Sequence, residues 1–174
     1  MVDKRVDRTR SALEQSFNDI FLGEGYEKTT PARVAEAAQV GRSTFYEHFD
    51  GQEDLLEKRL LKVLLPLSDA TMSNAVPGDL ESLLLHFWEK RVIVRALLGG
   101  RARAVAMRAL TGLIEEQIRS QRTGSAVPLR LIAVQIAGGH LALLEEWLSG
   151  RHRCSTDDLA RVIAANARAL VLVQ

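Results

Sequence analysis

Within one short stretch the chain sets Arg42, Ser43, Thr44, Tyr46, Glu47 and His48 around Phe45, with Phe49 four positions further on. Read as a helix, residues 42–48 place Phe45 and Phe49 on one face, where they can anchor it to a core. The guanidinium, hydroxyl, phenol, carboxylate and imidazole groups are then left for contacts. A second short helix is expected just before it, over residues 30–38, after a connection of about three residues. Two helices of that size so joined have the dimensions of a helix-turn-helix, whose second helix enters the major groove of DNA. That groove is about 12 Å wide and accepts one α-helix, so leading side chains reach base edges.

Other chemistries find less support. The four histidines, His48, His86, His140 and His152, show no i, i+4 pairing and no Asp or Glu at ligand spacing, so no metal is expected. The single cysteine, Cys154, can form neither an internal disulfide nor a thiolate metal site by itself. Gly23-Glu24-Gly25 follows a helix rather than a strand, which removes the dinucleotide-loop reading. No nucleophile elbow or phosphate loop is present, and Ser43, His48 and Asp50 read as a contact helix and its exit. The chain is therefore expected to be neither an enzyme nor a cofactor carrier.

Apolar residues recur almost everywhere with a 3.6-residue period, and no alternating run is long enough for a strand. The expected fold class is all-α. A first helix over 7–22 carries Leu13, Phe17, Ile20 and Phe21 on one face and ends at Gly23 and Gly25. Thr30 is placed to cap the next helix, with Pro31 at its first position and Val34, Ala35 and Ala38 inward. A long helix starts near Gln52 with Leu55, Leu56, Leu60 and Val63 as its buried stripe, and Pro66 predicts a kink or break. Further helices are expected at 79–92, 101–120, 128–148 and 155–173, with a short turn at 94–98. Pro77, Gly99-Gly100, Thr123-Gly124-Ser125 and Ser149-Gly150 mark the connections.

With 174 residues, 47% apolar and 26% charged, the chain has the composition of a globular protein with a real core, not of a disordered segment. The longest nearly apolar stretch, residues 131–144, is too short and too polar to span a bilayer, and the charged start lacks the apolar region of an export signal. A cytoplasmic protein without a membrane partner is expected. Formal net charge is only +1, and residues 1–60 hold 9 Lys/Arg against 12 Asp/Glu. Binding to DNA would therefore have to come from geometry, not from bulk charge.

Gly25-Tyr26-Glu27-Lys28-Thr29-Thr30, then Val34-Ala35, then Thr44-Phe45-Tyr46-Glu47-His48-Phe49, resembles the signature of the tetracycline-repressor (TetR) family, over roughly residues 10–56. The resemblance implies a homodimer with an N-terminal reader over 1–51 and a helical dimerisation and ligand domain over 52–174. It implies a transcriptional regulator, a repressor that binds palindromic double-stranded DNA and is released by a small-molecule inducer. Carried over by position, it assigns Thr30, Tyr46 and His48 to phosphates and Arg42, Ser43 and Thr44 to the groove, with Lys28 and Gln52 also DNA-binding. Arginine can pair two-pronged with guanine, and a phenol and an imidazole N–H suit phosphate oxygens. Glu47 either accepts from cytosine N4 or faces solvent.

The chain departs from that pattern at four places. Gln39 stands where the turn usually has glycine, Gly41 at the usual serine cap, Ser43 at a usual glycine, and Gln52 replaces a basic residue, leaving a weaker neutral donor.

In the C-terminal part, the helix over 128–148 is apolar almost all round and needs two buried faces. Together with the last helix it predicts a four-helix dimer seam of Ile132, Ile136, Leu143, Leu159, Val162, Ile163, Ala167 and Leu170. Met72, His86, Phe87, Trp88, Met107, His140 and Trp147 are candidates for lining an inducer pocket, ordinary core being the alternative for each. Two further readings stand beside the regulator: a helical interaction module that has lost DNA binding, and a small all-α enzyme.

Overall fold

The computed structural model describes residues 4–72, 78–120 and 127–172, which form ten α-helices and one 3-10 turn, with no strand among them. The all-α expectation holds. Two compact units divide the chain at Arg59 and Leu60, within the helix that begins at Gln52. Pro77, the 123–125 separator and Val173 lie outside the described residues.

In the first unit, α1 (Lys4–Glu24) runs further at both ends than the apolar pattern suggests. Leu13 and Phe17 are buried, and Phe17 stacks on Phe21 with ring centroids 6.0 Å apart. Gly23 continues the helix. Gly25 ends it at φ +88°, a conformation that a side chain would strain, and its N–H bonds the Phe21 carbonyl at 3.0 Å. After the 3-10 turn Tyr26–Lys28 comes α2 (Pro31–Ala37), with Pro31 in its first turn and the Thr30 hydroxyl accepting from the Arg33 N–H at 3.5 Å.

The end of α2 explains how the chain turns toward the next helix. Val40 N–H bonds the Ala35 carbonyl and Gln39 N–H the Glu36 carbonyl, both at 3.0 Å, which is the paired bonding of a Schellman cap. Gln39 occupies the left-handed position at φ +57°, as its place in the turn predicts. Then follow α3 (Arg42–His48) and α4 (Gln52–Val63). α1 packs on the 3-10 turn and α2, and α2 packs on α3. Leu13, Phe17, Val34, Ala35, Phe45, Phe49, Leu55 and Leu56 form the core, each large side chain contributing about 1.5–3 kcal/mol by its burial.

In the second unit the expected break is present: the helix stops before Leu64 and α5 (Leu65–Asp69) restarts with Pro66 in its first turn, where a missing N–H costs nothing. There follow α6 (Gly78–Glu89), α7 (Arg91–Gly99), α8 (Ala102–Arg119), α9 (Leu129–Leu148) and α10 (Thr156–Leu172). α7 is a nine-residue helix where only a short turn at 94–98 was expected. Its Leu97 and Leu98 are buried while Val92 is exposed, and a one-sided stripe of that kind holds a helix in place. α8 and α9 are closely paired, α7 lies on both, and α10 packs on α9 and α6. A Cβ added to Gly138 would make ordinary contact with the Met107 methyl, at 3.6 Å, so the Met107 side chain of α8 packs over α9 at this point.

α9 corrects one expectation. Its twenty residues include an 18-residue window of mean hydropathy 1.2, so length and composition alone would let it cross a membrane. Half of that window is buried within the fold, with Ile132, Ala133, Ile136, Ala137, Leu141 and Leu144 all inward, which is how a core helix of a helical unit looks.

Candidate nucleic-acid interface

The short helix α3 has one wall and one open side. Phe45 and Phe49 are buried with centroids 5.7 Å apart, and the Arg10 guanidinium and Lys58 ammonium approach the Phe49 ring at 5.7 and 5.1 Å. These contacts fix the rotation of α3. Arg42, Ser43, Tyr46 and Glu47 are consequently exposed, and Thr44 and His48 half-buried. Gly41 caps the helix without a side-chain bond.

Arg42 and Tyr46, one turn apart, are partners. The guanidinium lies over the phenol ring at 5.8 Å from its centroid and its Nη2 donates to the Tyr46 hydroxyl at 3.5 Å. Phe45 meets the same ring edge-on at 5.5 Å, and Tyr46 remains 46% exposed. Two donors suited to DNA are thus held together at the surface, and neither is used up by a carboxylate bond shown here.

Lys28 and Thr30 lie exposed on the turn before α2. That turn is clamped by Arg33, which grips Glu24 with two hydrogen bonds of 2.9 and 2.7 Å. The hydrogen bonds hold the Glu24 carboxyl below its usual pKa and raise that of Arg33. Sequence reasoning did not single out this pair; nine residues and a helix end separate its members, so no spacing rule marks it. Gln52 differs most from the direct-contact expectation. Its amide donates to the Tyr26 carbonyl at 2.6 Å and to the Thr29 hydroxyl at 2.9 Å.

In the second unit the candidate pocket residues scatter. Phe87 and Trp147 are buried, Met72, Trp88 and Met107 half-buried, and His86 exposed. Trp88 and Trp147 do meet, at 4.9 Å between centroids, and the Trp147 indole N–H donates to the Cys154 carbonyl at 3.1 Å. His140 instead lines a groove of about 310 Å³ between α9 and α10 together with Ile136, Leu143, Val162, Ile163, Ala167 and Leu170. Neither of its ring nitrogens has a hydrogen-bond partner, and burial pushes its pKa down to about 4, with the Ile163 backbone opposing weakly. Of the expected seam, Ile132, Ile136, Leu159, Ile163 and Ala167 are buried within their own unit, while Leu143 and Leu170 are half-buried and Val162 is 49% exposed.

The model of the family "Bacterial regulatory proteins, tetR family" matches residues 19–58, the segment holding the end of α1, α2, α3 and the start of α4. Among curated proteins, the HTH-type transcriptional regulator TcmR of Streptomyces glaucescens is 38% identical over 52 residues, 30% of this chain. The uncharacterised HTH-type regulator YxbF of Bacillus subtilis is 30% identical over 79 residues, 45% of this chain. The matches span 23% and 21% of the length of those two relatives.

Solved structures agree over nearly the whole chain. A TetR-family regulator from Streptomyces coelicolor has a TM-score of 0.62 at 22% identity, covering 98% of both chains. FadR of Thermus thermophilus, a TetR-family repressor in complex with lauroyl-CoA, has a TM-score of 0.56 at 22% identity, covering 95% of this chain and 96% of its own. RolR in complex with resorcinol has 0.54 at 23% identity, covering 98% and 96%. Identities this low establish the fold, and the family match establishes the segment that carries α2 and α3. The chain has the all-α fold of these TetR-family structures, and residues 19–58 match the model of the tetR family of bacterial regulatory proteins.

Proposed function

We propose that the chain is a sequence-specific DNA-binding transcriptional regulator, a repressor that reads a palindromic operator as a homodimer in the cytoplasm. The observation that carries the reading is α3: Phe45 and Phe49 are buried, and Arg42, Ser43 and Tyr46 stand outward on the opposite side. Arg42 reads a base edge, Ser43 and Thr44 approach the groove, and Tyr46, His48, Thr30 and Lys28 hold phosphates. Residues 1–51 serve as the reader and residues 52–174 as the dimerisation and ligand part.

One recognition helix meets only a few base pairs, so a two-fold pair is needed for a specific operator. The α9–α10 face supports that pairing: between Leu131 and Leu144 the chain has no charged residue, and Leu131, Val134 and Val162 are exposed. A small organic molecule releases the operator, by favouring a conformer whose recognition helices no longer match successive major grooves, about 34 Å apart. The fold is shared with proteins that hold lauroyl-CoA or resorcinol. Selection of bound duplexes from a random pool tests the reading. Enrichment of a two-fold symmetric sequence is expected, and a pool that stays random after repeated rounds would refute it.

A further inference from the structure

Gln52, the first residue of α4, closes a polar knot across 26 positions of the chain. Its amide nitrogen donates toward the Tyr26 carbonyl at 2.6 Å and the Thr29 hydroxyl at 2.9 Å, and that hydroxyl donates to the same Tyr26 carbonyl at 2.6 Å, so the three polar atoms close one triangle. The orientation of the amide is settled, because the flipped amide would set its oxygen against the carbonyl oxygen. Thr29 is fully buried.

The knot sits between the two residues that face outward on this turn, Lys28 on one side of Thr29 and Thr30 on the other. Arg33 also ties the segment, through Glu24 and at 3.5 Å through the Lys28 carbonyl, but these contacts are solvent-exposed, and exposed ion pairs hold geometry weakly. We infer that Gln52 is a positioning residue for DNA: through Thr29 and Tyr26 it holds Lys28 and Thr30 in register with α3, and it does not itself contact a phosphate. This rests on the DNA-reading function proposed above. It places at the start of α4 a neutral residue whose task is internal.

The test is a double-mutant cycle on duplex affinity, using the sequence recovered by the wild-type chain from a random pool and a random-sequence duplex. Gln52→Met and Thr29→Val are each expected to lower affinity about tenfold on both duplexes. The log–log salt slope becomes shallower by about 0.9 as the Lys28 phosphate contact is lost. The double variant is expected to be no weaker than the worse single one, because both changes open the same knot. Buried Thr29 cannot reach DNA, so wild-type affinity in Thr29→Val, or strictly additive losses, would overturn the inference.

Gln52→Asn keeps a polar helix start and therefore the fold, yet falls one methylene short of Tyr26. It should behave like Gln52→Met, and wild-type affinity there would overturn the inference too. Amide hydrogen exchange over residues 28–33 reads the tie without DNA: it should quicken in each variant, and unchanged exchange counts against the knot. A wild-type chain with no salt-sensitive duplex binding would overturn the DNA function itself. Wild-type binding beside indifferent variants would overturn only the positioning role.

Discussion

At the scale of single residues, the family departures have separable physical costs. Gln39 at φ +57° lies where a Cβ crowds the following carbonyl, so Gln39→Gly should raise unfolding stability by about 1 kcal/mol in urea titration. No change or a loss would mean that the turn has relaxed the strain. Arg42 is the base-reading candidate. Arg42→Ala should cost about 1–3 kcal/mol and relax preference at one base pair, measured on a panel of single-substituted operators. An equal loss on cognate and random duplexes would assign it to the backbone. Much of this site was legible from residue types, because Phe45 and Phe49 at i, i+4 can bury only one face and thereby expose Arg42 and Tyr46. The role of Gln52 was not: its hydrogen-bond partners lie more than twenty positions away, and spacing along a helix says nothing about such a contact.

At the scale of elements, α9 and α10 carry two expectations. His140 is buried without a partner, and its pKa falls from the ordinary 6.5 to about 4. The unfolded chain takes up the proton near pH 6.5 and the folded chain only near 4. Folding stability is therefore full above 6.5, declines as pH falls toward 4, and levels off below, by an amount on the order of 3 kcal/mol. Urea unfolding across that range should show this slope in the wild type and lose it in His140→Leu; identical profiles would contradict the burial argument.

The seam gives the second expectation. Val162 is 49% exposed and its neighbour Ile163 fully buried. Val162→Glu should leave the helical signal intact and shift sedimentation from dimer to monomer, whereas a dimer that persists would remove α10 from the interface. Helical periodicity located nearly all of these elements, but it could not separate the two inward faces of α9 and α10. An apolar position buried in its own unit and one waiting for a second copy look the same in sequence. α7 was underestimated for a related reason, since its stripe is short and Arg91 and Arg95 interrupt it.

At the scale of the whole molecule, a net charge of +1, with acidic residues in excess over residues 1–60, leaves little long-range attraction for a polyanion. Under the proposed function, DNA binding has to come from a few positioned donors on each protomer and from the pairing of two protomers. The measurement that tests this most directly is the affinity of the wild-type chain for the selected duplex as salt is varied. The account predicts specific binding whose logarithm falls linearly with log salt, by about 0.9 for each phosphate neutralised, and a marked preference over random-sequence duplex. Affinity indifferent to salt, or equal for both duplexes, would contradict it.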